Sequence, residues 1–250
     1  MKKRLDQLIY ERKLTSSRNQ AAALIMSGRV KVEGKLATKA GFSVNVTANI
    51  EIAAGRRYVS RAGLKLESVA AKLAINFMDR TVLDIGSSTG GFTDFALQHG
   101  AKKVYAVDVG SNQLDYRLRQ DPKVVVMEKT DIRSVQTLPE PIDIAVADVS
   151  FISLRMILPG IPQLMQTNGQ IVAMVKPQFE ADKKTADMYK GVIKNDTIRR
   201  RILQDFEQWA KGYFVIKAKA DSEVSGAKGN LERFYLLKSL RGSYTKKHES

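Results

Sequence analysis

The sequence predicts an α/β protein in which a doubly wound, Rossmann-like sheet follows a small α+β domain. After residue 57, short and nearly continuous apolar segments alternate with helical patterns, as expected for strands that are covered on both faces. Residues 1–56 instead carry two short helical patterns and then apolar residues at a spacing of two. The length of 250 residues is sufficient for one medium and one small domain.

The composition excludes several classes of protein. The chain contains no cysteine, which excludes a disulfide framework, a zinc-thiolate site and a cysteine nucleophile. No apolar segment approaches the roughly 18 residues of a membrane span, and the charged N-terminus lacks the apolar core of a signal peptide. We therefore expect a cytoplasmic protein with no stable membrane association and no metal site. The sequence leaves the oligomeric state open.

The net charge of +15 indicates a polyanionic partner, with a generally basic soluble protein as the alternative. The charge is unevenly distributed. Residues 1–56 contain 11 Lys and Arg against 4 Asp and Glu, whereas the remaining 194 residues contain 30 against 22. The N-terminal fifth of the chain therefore carries nearly half of the excess positive charge.

The N-terminal segment has a readable order of elements. Apolar residues at helical spacing predict two helices, through Leu5, Leu8 and Ile9 and through Ala21, Leu24 and Ile25. Ser16 or Ser17 can cap the second helix, and Gly28 suits the left-handed position after its end. A small sheet is then predicted by Val30 and Val32 before the turn Glu33-Gly34, and by the alternating Val44, Val46, Ile50 and Ile52.

This segment resembles the RNA-binding domain shared by a small-subunit ribosomal protein, some tyrosyl-tRNA synthetases and several pseudouridine synthases. The matching residues are Arg4-Leu5-Asp6, Ser17-Arg18, Ala22, Leu24-Ile25, Gly28-x-Val30-x-Val32-x-Gly34, Lys39-x-Gly41 and Ile50-Glu51-Ile52. The resemblance implies that Arg4, Arg18, Lys31 and Lys39 face RNA phosphates. For each of them a solvated surface charge is the alternative.

Residues 53–57, Ala-Ala-Gly-Arg-Arg, are interpreted as a linker, which gives domains of 1–56 and 57–250. In the second domain, the predicted strands cover residues 81–85, 103–108, 124–128, 142–148, 170–175, 213–218 and 234–237. Helices are expected between them. One of these is predicted to begin at Asn195-Asp196, to pass through Ile198, Ile202, Phe206 and Trp209, and to end just before Gly212.

Acidic residues and glycines stand at the ends of the first strands, where ligands bind in such sheets. The first strand continues into Asp84-Ile85-Gly86-Ser87-Ser88-Thr89-Gly90-Gly91-Phe92, whose spacing is neither that of a dinucleotide site nor that of a phosphate loop. An acidic residue there suits a cationic cofactor without phosphates. Asp108 can accept hydrogen bonds from ribose hydroxyls, and Asp131-Ile132 can meet an adenine. These residues predict an S-adenosylmethionine site, although each aspartate could be an ordinary cap or loop residue.

Four further polar residues stand at or near the mouth of the predicted sheet: Lys65, Asp148, Lys176 and Glu232. Asp148 ends the fourth strand and is assigned both to the cofactor site and to the catalytic group. A charged residue after a buried strand can also simply mark the surface.

At these residues the chain resembles the haemolysin-A (TlyA) family, which joins the RNA-binding module to a methyltransferase domain of the FtsJ/RrmJ type. The matching segments are 60–66, 84–94, 148–151, 176–180 and 229–232, whereas the loop 222–228 lacks the prolines expected there. The resemblance places the Lys-Asp-Lys-Glu tetrad on Lys65, Asp148, Lys176 and Glu232. It implies that Lys176 accepts a proton or orients the oxygen while the other three position it and the substrate.

The resemblance also implies S-adenosylmethionine-dependent 2′-O-methylation of ribose, at cytidines in the ribosomal RNA of both subunits or of the large one only. Whether the substrate is naked RNA, a ribosomal subunit or a whole ribosome is left open by the sequence. Carbon methylation of bases is disfavoured because it commonly needs a cysteine nucleophile. Methylation of exocyclic amino groups is disfavoured because Asp148-Val149-Ser150-Phe151 contains no proline. The alternatives from other classes are a membrane-active haemolysin and a non-catalytic RNA-binding ribosome assembly factor.

Overall fold

The computed structural model describes residues 1–240 with the exception of residues 27, 54–56, 190 and 227. The chain divides into two compact units, Met1–Arg57 and Tyr58–Ser250. Residues 54–56 of the expected linker lie outside the described residues. Within the described part of the chain, no helix has both the length and the apolar character needed to cross a membrane.

The N-terminal unit contains two helices and five short strands. The helices are α1 (Leu5–Glu11) and α2 (Arg18–Met26), and the strands are β1 (Lys2–Arg4), β2 (Val30–Val32), β3 (Lys35–Ala37), β4 (Ser43–Asn45) and β5 (Ile50–Ile52). The strands form one sheet of order β3-β2-β5 and a separate pair, β1-β4. The small sheet predicted after the helices is present as β3-β2-β5, but Val44 of β4, which was expected in that sheet, pairs with β1 instead. β1 was missed because its Lys-Lys-Arg sequence has no apolar alternation for a pattern to detect.

The helix-capping and turn residues predicted for this unit are confirmed. The Ser17 hydroxyl oxygen accepts a hydrogen bond from the Gln20 N–H at 3.1 Å, as expected of a cap, and Gly28 has a φ of +69°. Glu33 and Gly34, at φ values of +48° and +73°, form the two-residue turn between β2 and β3. The core is built from both predicted helices and the sheet, with Leu5, Leu8, Ile9, Ala21, Ile25 and Val30 buried.

The second unit contains one seven-stranded sheet of order β11-β12-β10-β9-β6-β7-β8. Its strands are β6 (Thr81–Ile85), β7 (Lys103–Val107), β8 (Val124–Met127), β9 (Ile142–Ala147), β10 (Met165–Val175), β11 (Phe214–Asp221) and β12 (Arg233–Ser239). All seven predicted strands are present, and the doubly wound fold class is confirmed. The apolar patterns suggested a parallel sheet, but β12 is antiparallel to both of its neighbours. It reverses because no crossover helix separates it from β11, so the two strands pair directly.

Helices cover the sheet less regularly than the sequence predicted. The α-helices are α3 (Arg61–Ala70), α4 (Gly91–Gln98), α5 (Tyr116–Arg119), α6 (Pro177–Glu180), α7 (Lys183–Met188) and α8 (Asp196–Ala210). Between β8 and β9, and between β9 and β10, the described residues form only 3-10 helices: Ile132–Ser134, Leu154–Met156 and Leu158–Leu164. In the longest of these, Pro159 and Pro162 lack the N–H that an α-helix needs. The cap of α8 is as predicted, since Asn195 Oδ1 accepts from the Ile198 N–H at 3.1 Å.

Alternate residues of the central strands face opposite sides of the sheet. In β6, Leu83 and Ile85 pack into one core cluster, whereas Val82 packs into the other. The five strands from β10 to β8 are mutually parallel. Their carboxyl ends therefore lie along one edge, where Gly86, Asp108, Asp148 and Lys176 directly follow the strands.

Candidate active site

Two cavities open at this edge of the sheet. The larger, of about 490 Å³, is lined by residues that include Asp108, Asp131 and Ile132. The smaller, of about 150 Å³, is lined by residues that include Asp84 and Lys176. Asp148 lines both cavities. The structure thus brings the predicted cofactor residues and one half of the predicted catalytic group to one cleft.

The loop after β6 explains the glycines of the motif. Gly86 has a φ of +79°, and a Cβ atom there would lie 2.6 Å from the backbone oxygen of Asp148. Gly90 has a φ of +91°, and its Cβ would lie 2.3 Å from the Leu118 side chain. Both positions therefore exclude any side chain, by conformation and by space. Ser88, Thr89 and Phe92 line the smaller cavity together with Ser87, and α4 begins at Gly91.

Asp84 lies at the back of the smaller cavity and is fully buried. Its Oδ2 atom accepts hydrogen bonds from the Thr93 N–H at 2.9 Å and from the Thr93 hydroxyl at 2.6 Å. Its Oδ1 atom accepts no hydrogen bond from any of the described residues. Burial, opposed in part by the Thr93 hydroxyl and reinforced by the charges of Asp148 and Asp108, raises the pKa of Asp84 to about 7. A cationic ligand group in this cavity would stabilise the ionised form of Asp84, which burial disfavours.

Asp108 is oriented by the backbone. Its Oδ2 atom accepts from the Ser88 N–H at 2.8 Å, and its Oδ1 atom accepts from the Gly110 N–H at 2.7 Å. Each carboxylate oxygen has a second lone pair, so the group can still accept two further hydrogen bonds. The carboxylate lines the larger cavity in a fixed direction. This arrangement suits the paired hydroxyls of a ribose.

Asp131 has a partner that the sequence analysis missed. Arg133 donates to both carboxylate oxygens, with Nη2 at 2.6 Å from Oδ2 and Nε at 3.0 Å from Oδ1, and this lowers the pKa of Asp131. Asp131, Ile132 and Arg133 all line the larger cavity. A ligand amino group would therefore meet an ion pair and not a lone carboxylate. The spacing Asp-x-Arg was the only sequence signal for it.

Lys176 and Asp148 form the innermost ion pair. The Lys176 Nζ atom lies 2.6 Å from Asp148 Oδ1. Nζ also donates a hydrogen bond to the hydroxyl oxygen of Ser150 at 2.8 Å. Asp148 therefore stabilises the charge on Lys176, while Ser150 gives one N–H bond its direction. Ser150 lies within the family-matching segment 148–151, but the sequence gives no sign that it contacts Lys176.

Lys65 and Glu232 form a second, separate pair. Lys65 on α3 donates to Glu232 Oε2 at 2.5 Å, and Glu232 is buried. Gly226 makes room for this carboxylate, since a Cβ there would lie 2.9 Å from Glu232 Oε1. The loop 222–228 also contacts α3 through the Arg61 guanidinium, which donates to the Ser225 carbonyl at 2.9 Å. Among the described residues, no hydrogen bond or ion pair joins the two halves of the predicted tetrad.

An exposed aromatic side chain stands at the mouth of the cleft. Phe151 is 92% exposed and has a φ of +66°, which is unusual for a bulky residue. Its ring centroid lies 5.3 Å from that of Phe179. Phe151 also lines the larger cavity beside Ser150. The pair offers an apolar surface next to the Lys176 ammonium.

The residues expected to face RNA lie in the N-terminal unit. Arg4 and Arg18 both contact the buried carboxylate of Asp6, at 2.9 Å and 3.3 Å, and the hydrogen bond from Arg4 lowers the pKa of Asp6 to about 2. Both guanidinium groups remain half-exposed. Lys31 on β2 and Lys39 are exposed. The two arginines are thus oriented by Asp6, a role that its place in the motif Arg4-Leu5-Asp6 does not indicate.

The comparisons with known proteins agree with this geometry. Residues 58–239 match the model of the FtsJ-like methyltransferase family, and residues 3–50 match that of the S4 domain. The 16S/23S rRNA (cytidine-2′-O)-methyltransferase TlyA of Mycobacterium tuberculosis is 38% identical over 242 residues, which cover 94% of this chain and 90% of the relative. Hemolysin A of Brachyspira hyodysenteriae is 41% identical over 234 residues, which cover 92% and 97%.

Solved structures extend the similarity to the fold. A Streptococcus thermophilus protein named as a hemolysin superposes with a TM-score of 0.71 at 37% identity, covering 97% of this chain and 90% of that chain. A methyltransferase structure from Listeria monocytogenes, 18% identical, matches the fold with a TM-score of 0.51 over 73% of this chain. The match to the family model and the two curated relatives confirm the family resemblance drawn from the sequence. Among the described residues, no group of His, Asp and Glu is arranged to hold a metal ion.

Proposed function

Because this chain belongs to the FtsJ-like methyltransferase family, we propose that it methylates the ribose 2′-hydroxyl of cytidine in ribosomal RNA with S-adenosylmethionine as the methyl donor. The relatives named as rRNA (cytidine-2′-O)-methyltransferases support the substrate. The observation that carries the reaction type is the Lys176–Asp148 pair, which stands where the two cavities meet. Such a substrate implies a cytoplasmic enzyme that acts on ribosomal RNA or ribosomal subunits.

The residues of the larger cavity and of the glycine loop fit this cofactor. We assign the ribose hydroxyls to Asp108, the adenine to Ile132 and the Asp131–Arg133 pair, and the amino group to Asp84. The assignment of Asp84 is supported by its Oδ1 atom, a buried acceptor without a donor. When bound, the cofactor would supply an electrophilic methyl group on a sulfonium.

Lys176 is proposed to orient the 2′-hydroxyl and either to stabilise its oxygen as the proton leaves or to accept that proton. Asp148 stabilises a positive charge on Lys176 at 2.6 Å. An ammonium would donate a hydrogen bond to the 2′-oxygen and stabilise negative charge as the proton leaves. A neutral amine would accept that proton. Lys65 and Glu232 are proposed to position the substrate from the edge of the cleft.

We propose that residues 1–56 supply affinity for RNA and that residues 57–250 bind the cofactor and carry out methyl transfer. In the N-terminal unit, Arg4, Arg18, Lys31 and Lys39 would contact RNA phosphates. In the second unit, the exposed Phe151 ring would stack on a nucleobase, since unstacked RNA bases are commonly held on aromatic side chains.

The test is methylation of purified ribosomal subunits with labelled cofactor, followed by alkaline hydrolysis. A 2′-O-methyl group blocks the internal nucleophile, so the modified linkage survives alkali as a labelled dinucleotide that contains methylcytidine. The Lys176→Ala variant serves as the control for contaminating activity. Label that appears only in mononucleotides would show base methylation and overturn the proposal, and label in a different nucleoside would overturn its cytidine part.

A further inference from the structure

Two segments that are far apart in sequence are joined at three points beside the reacting centre. We call residues 148–154, which follow β9, the acceptor loop. Lys176 contacts Asp148 and Ser150, Phe179 packs against Phe151, and Glu180 bonds Ser153 and Leu154. Lys176 is the N-cap of α6, and Phe179 and Glu180 lie in its single turn, so all three side chains come from one short segment. Residues 176–180 therefore contact the acceptor loop from Asp148 to Leu154.

Glu180 holds the far end of the acceptor loop. Its side chain is only 1% exposed. Oε2 accepts from the Ser153 hydroxyl at 2.6 Å, and Oε1 accepts from the Leu154 N–H at 2.7 Å. Burial raises the pKa of Glu180, although these hydrogen bonds and the nearby Arg155 oppose that shift. Two bonds from one carboxylate fix the direction of the loop as well as its distance from α6.

The conformation of the loop between its ends needs such an anchor. The near end is held by β6, because the Asp148 N–H donates to the Ile85 carbonyl at 3.0 Å. Between this bond and those of Glu180 lies Phe151, in the left-handed region at a φ of +66°. A bulky residue keeps such a conformation only where its surroundings impose it. Loss of the Glu180 bonds would let the loop relax, and Ser150, next to Phe151, would move with it.

Ser150 would transmit a movement of the acceptor loop to Lys176, the proposed catalytic lysine. The Lys176 Nζ atom lies 2.6 Å from Asp148 Oδ1 and donates to Ser150 Oγ at 2.8 Å. The direction of the N–H bond that remains for the substrate therefore depends on where Ser150 stands as well as on Asp148. An in-line transfer is sensitive to such direction, since small misplacements of a catalytic group cost large factors in rate.

We propose that Glu180 is a positioning residue for methyl transfer, which holds the acceptor loop so that Ser150 sets the direction of the Lys176 ammonium. The inference rests on the proposed role of Lys176. It assigns a function to a buried carboxylate that lines neither of the two cavities and that, among the described residues, bonds Ser153 and Leu154 of the acceptor loop and pairs with the adjacent Arg155.

The experiment measures single-turnover methylation of ribosomal subunits at saturating cofactor, together with the cofactor Kd. Glu180→Ala and Ser150→Ala should each slow transfer by about 10- to 100-fold, the scale of a misplaced catalytic group, while the cofactor Kd changes by less than about twofold. Because both act on the same hydrogen bond of Lys176, the double variant should be no slower than the slower single variant.

Glu180→Gln separates positioning from charge. The amide oxygen can still accept from the Leu154 N–H, and the Ser153 hydroxyl can rotate to accept from the amide nitrogen. This variant should therefore recover most of the rate that Glu180→Ala loses. The matched control is Asp143→Asn, which alters another largely buried carboxylate that accepts a backbone N–H, from Thr81 at 2.8 Å, at the opposite edge of the sheet. It should lower the melting temperature without changing the rate per folded molecule.

Wild-type transfer by Glu180→Ala would overturn the inference, as would rate losses that multiply in the double variant. A Glu180→Gln variant as slow as Glu180→Ala would show that the charge, not the geometry, matters, and would overturn it too. Should Glu180→Ala fail to fold, Ser153→Ala removes one of the two bonds and should show the same lack of additivity with Ser150→Ala. Wild-type transfer by Lys176→Ala would instead overturn the proposed site and leave the anchoring of the loop as a purely structural feature.

Discussion

In the cofactor half of the cleft, Asp84 and Asp108 are held by hydroxyl and backbone N–H donors, and no cationic side chain in the described part of the chain is bonded to them. The other half, which we call the acceptor half, consists of the predicted catalytic tetrad. It pairs each carboxylate with a lysine, Asp148 with Lys176 and Glu232 with Lys65. Asp84 and Asp108 thus keep negative charge that a cationic ligand can neutralise, whereas the carboxylates paired with lysine are already balanced. Asp148 lines both cavities, but Asp108 and Lys176 each line only one of them, so these two residues should allow cofactor binding and chemistry to be damaged separately.

The largest expected effect comes from the acceptor half. Lys176→Ala should slow single-turnover methyl transfer by about 10²- to 10⁴-fold, the usual cost of losing a proton-transfer group, while the cofactor Kd from calorimetry stays close to wild type. Lys176→Arg refines the comparison, because guanidinium keeps the charge but is no base at neutral pH. Substantial activity in Lys176→Arg would indicate an orienting ammonium, and activity as low as that of Lys176→Ala would indicate a proton acceptor. Wild-type transfer in Lys176→Ala would remove the basis of the comparison.

The reciprocal change is Asp108→Ala in the cofactor half. Loss of a charged acceptor of hydrogen bonds costs about 1.5–3 kcal/mol, which corresponds to roughly 10- to 150-fold in cofactor affinity. The transfer rate at saturating cofactor should change little, because the acceptor half is intact. Asp121→Ala is the matched control, since Asp121 also accepts a backbone N–H, from Lys123 at 2.8 Å, but lines neither cavity. A wild-type Kd for Asp108→Ala would show that the ribose lies elsewhere.

The raised pKa of Asp84 makes the free energy of unfolding depend on pH. Burial raises its pKa from 3.8 to about 7, so the folded protein binds this proton more tightly than the unfolded chain does. The stability that depends on the proton is present below pH 3.8 and is lost as the pH rises through about 7. Asp84→Asn cannot ionise and keeps an acceptor for Thr93. We therefore expect it to melt a few degrees above wild type at pH 8 without cofactor, since roughly 1 kcal/mol corresponds to 2–4 °C in a protein of this size.

The same variant should bind the cofactor more weakly, because the amino group loses a charged acceptor. Thermal unfolding at pH 5 and pH 8, with and without cofactor, measures both effects. The expected pattern is a larger gain in stability at pH 8 than at pH 5, together with a smaller shift on adding cofactor. Equal destabilisation of Asp84→Asn at both pH values would contradict a buried, costly charge.

The contrast between the halves also separates what the sequence could predict from what it could not. Asp108, Asp148 and Lys176 each directly follow a strand of the parallel part of the sheet. Because parallel strands end at one edge, their order in sequence was enough to predict that they meet. The glycines of the loop after β6 were equally readable, since their spacing reports where a chain must turn without side chains.

The contacts of the acceptor loop were not readable in this way. The bonds of Ser150 to Lys176 and of Glu180 to Ser153 join residues 26 and 27 positions apart. They depend on the left-handed conformation of Phe151 and on the short 3-10 helix that follows it, and neither leaves a periodic pattern. The Arg133–Asp131 pair was missed for a related reason, because a side chain that turns back on its own loop has no hydrophobic signature. Sequence pattern reports burial, whereas these contacts are set by side-chain direction.

The smallest expected effect lies outside the cleft and concerns affinity alone. Lys31 and Lys39 are exposed in the N-terminal unit, and each is proposed to contact one RNA phosphate. Replacing either by Ala should reduce the slope of log affinity against log salt by about 0.7–0.9, because one fewer counterion is released. Affinity at physiological salt should fall only a few-fold, and both cofactor Kd and transfer rate at saturating RNA should remain at wild type. Lys217→Ala, which removes an exposed lysine from the edge strand β11, is the control and should leave the salt slope unchanged. If Lys31→Ala and Lys39→Ala behave like that control, their charges are merely solvated, and the RNA affinity of the unit must come from Arg4 and Arg18, which Asp6 already holds in place.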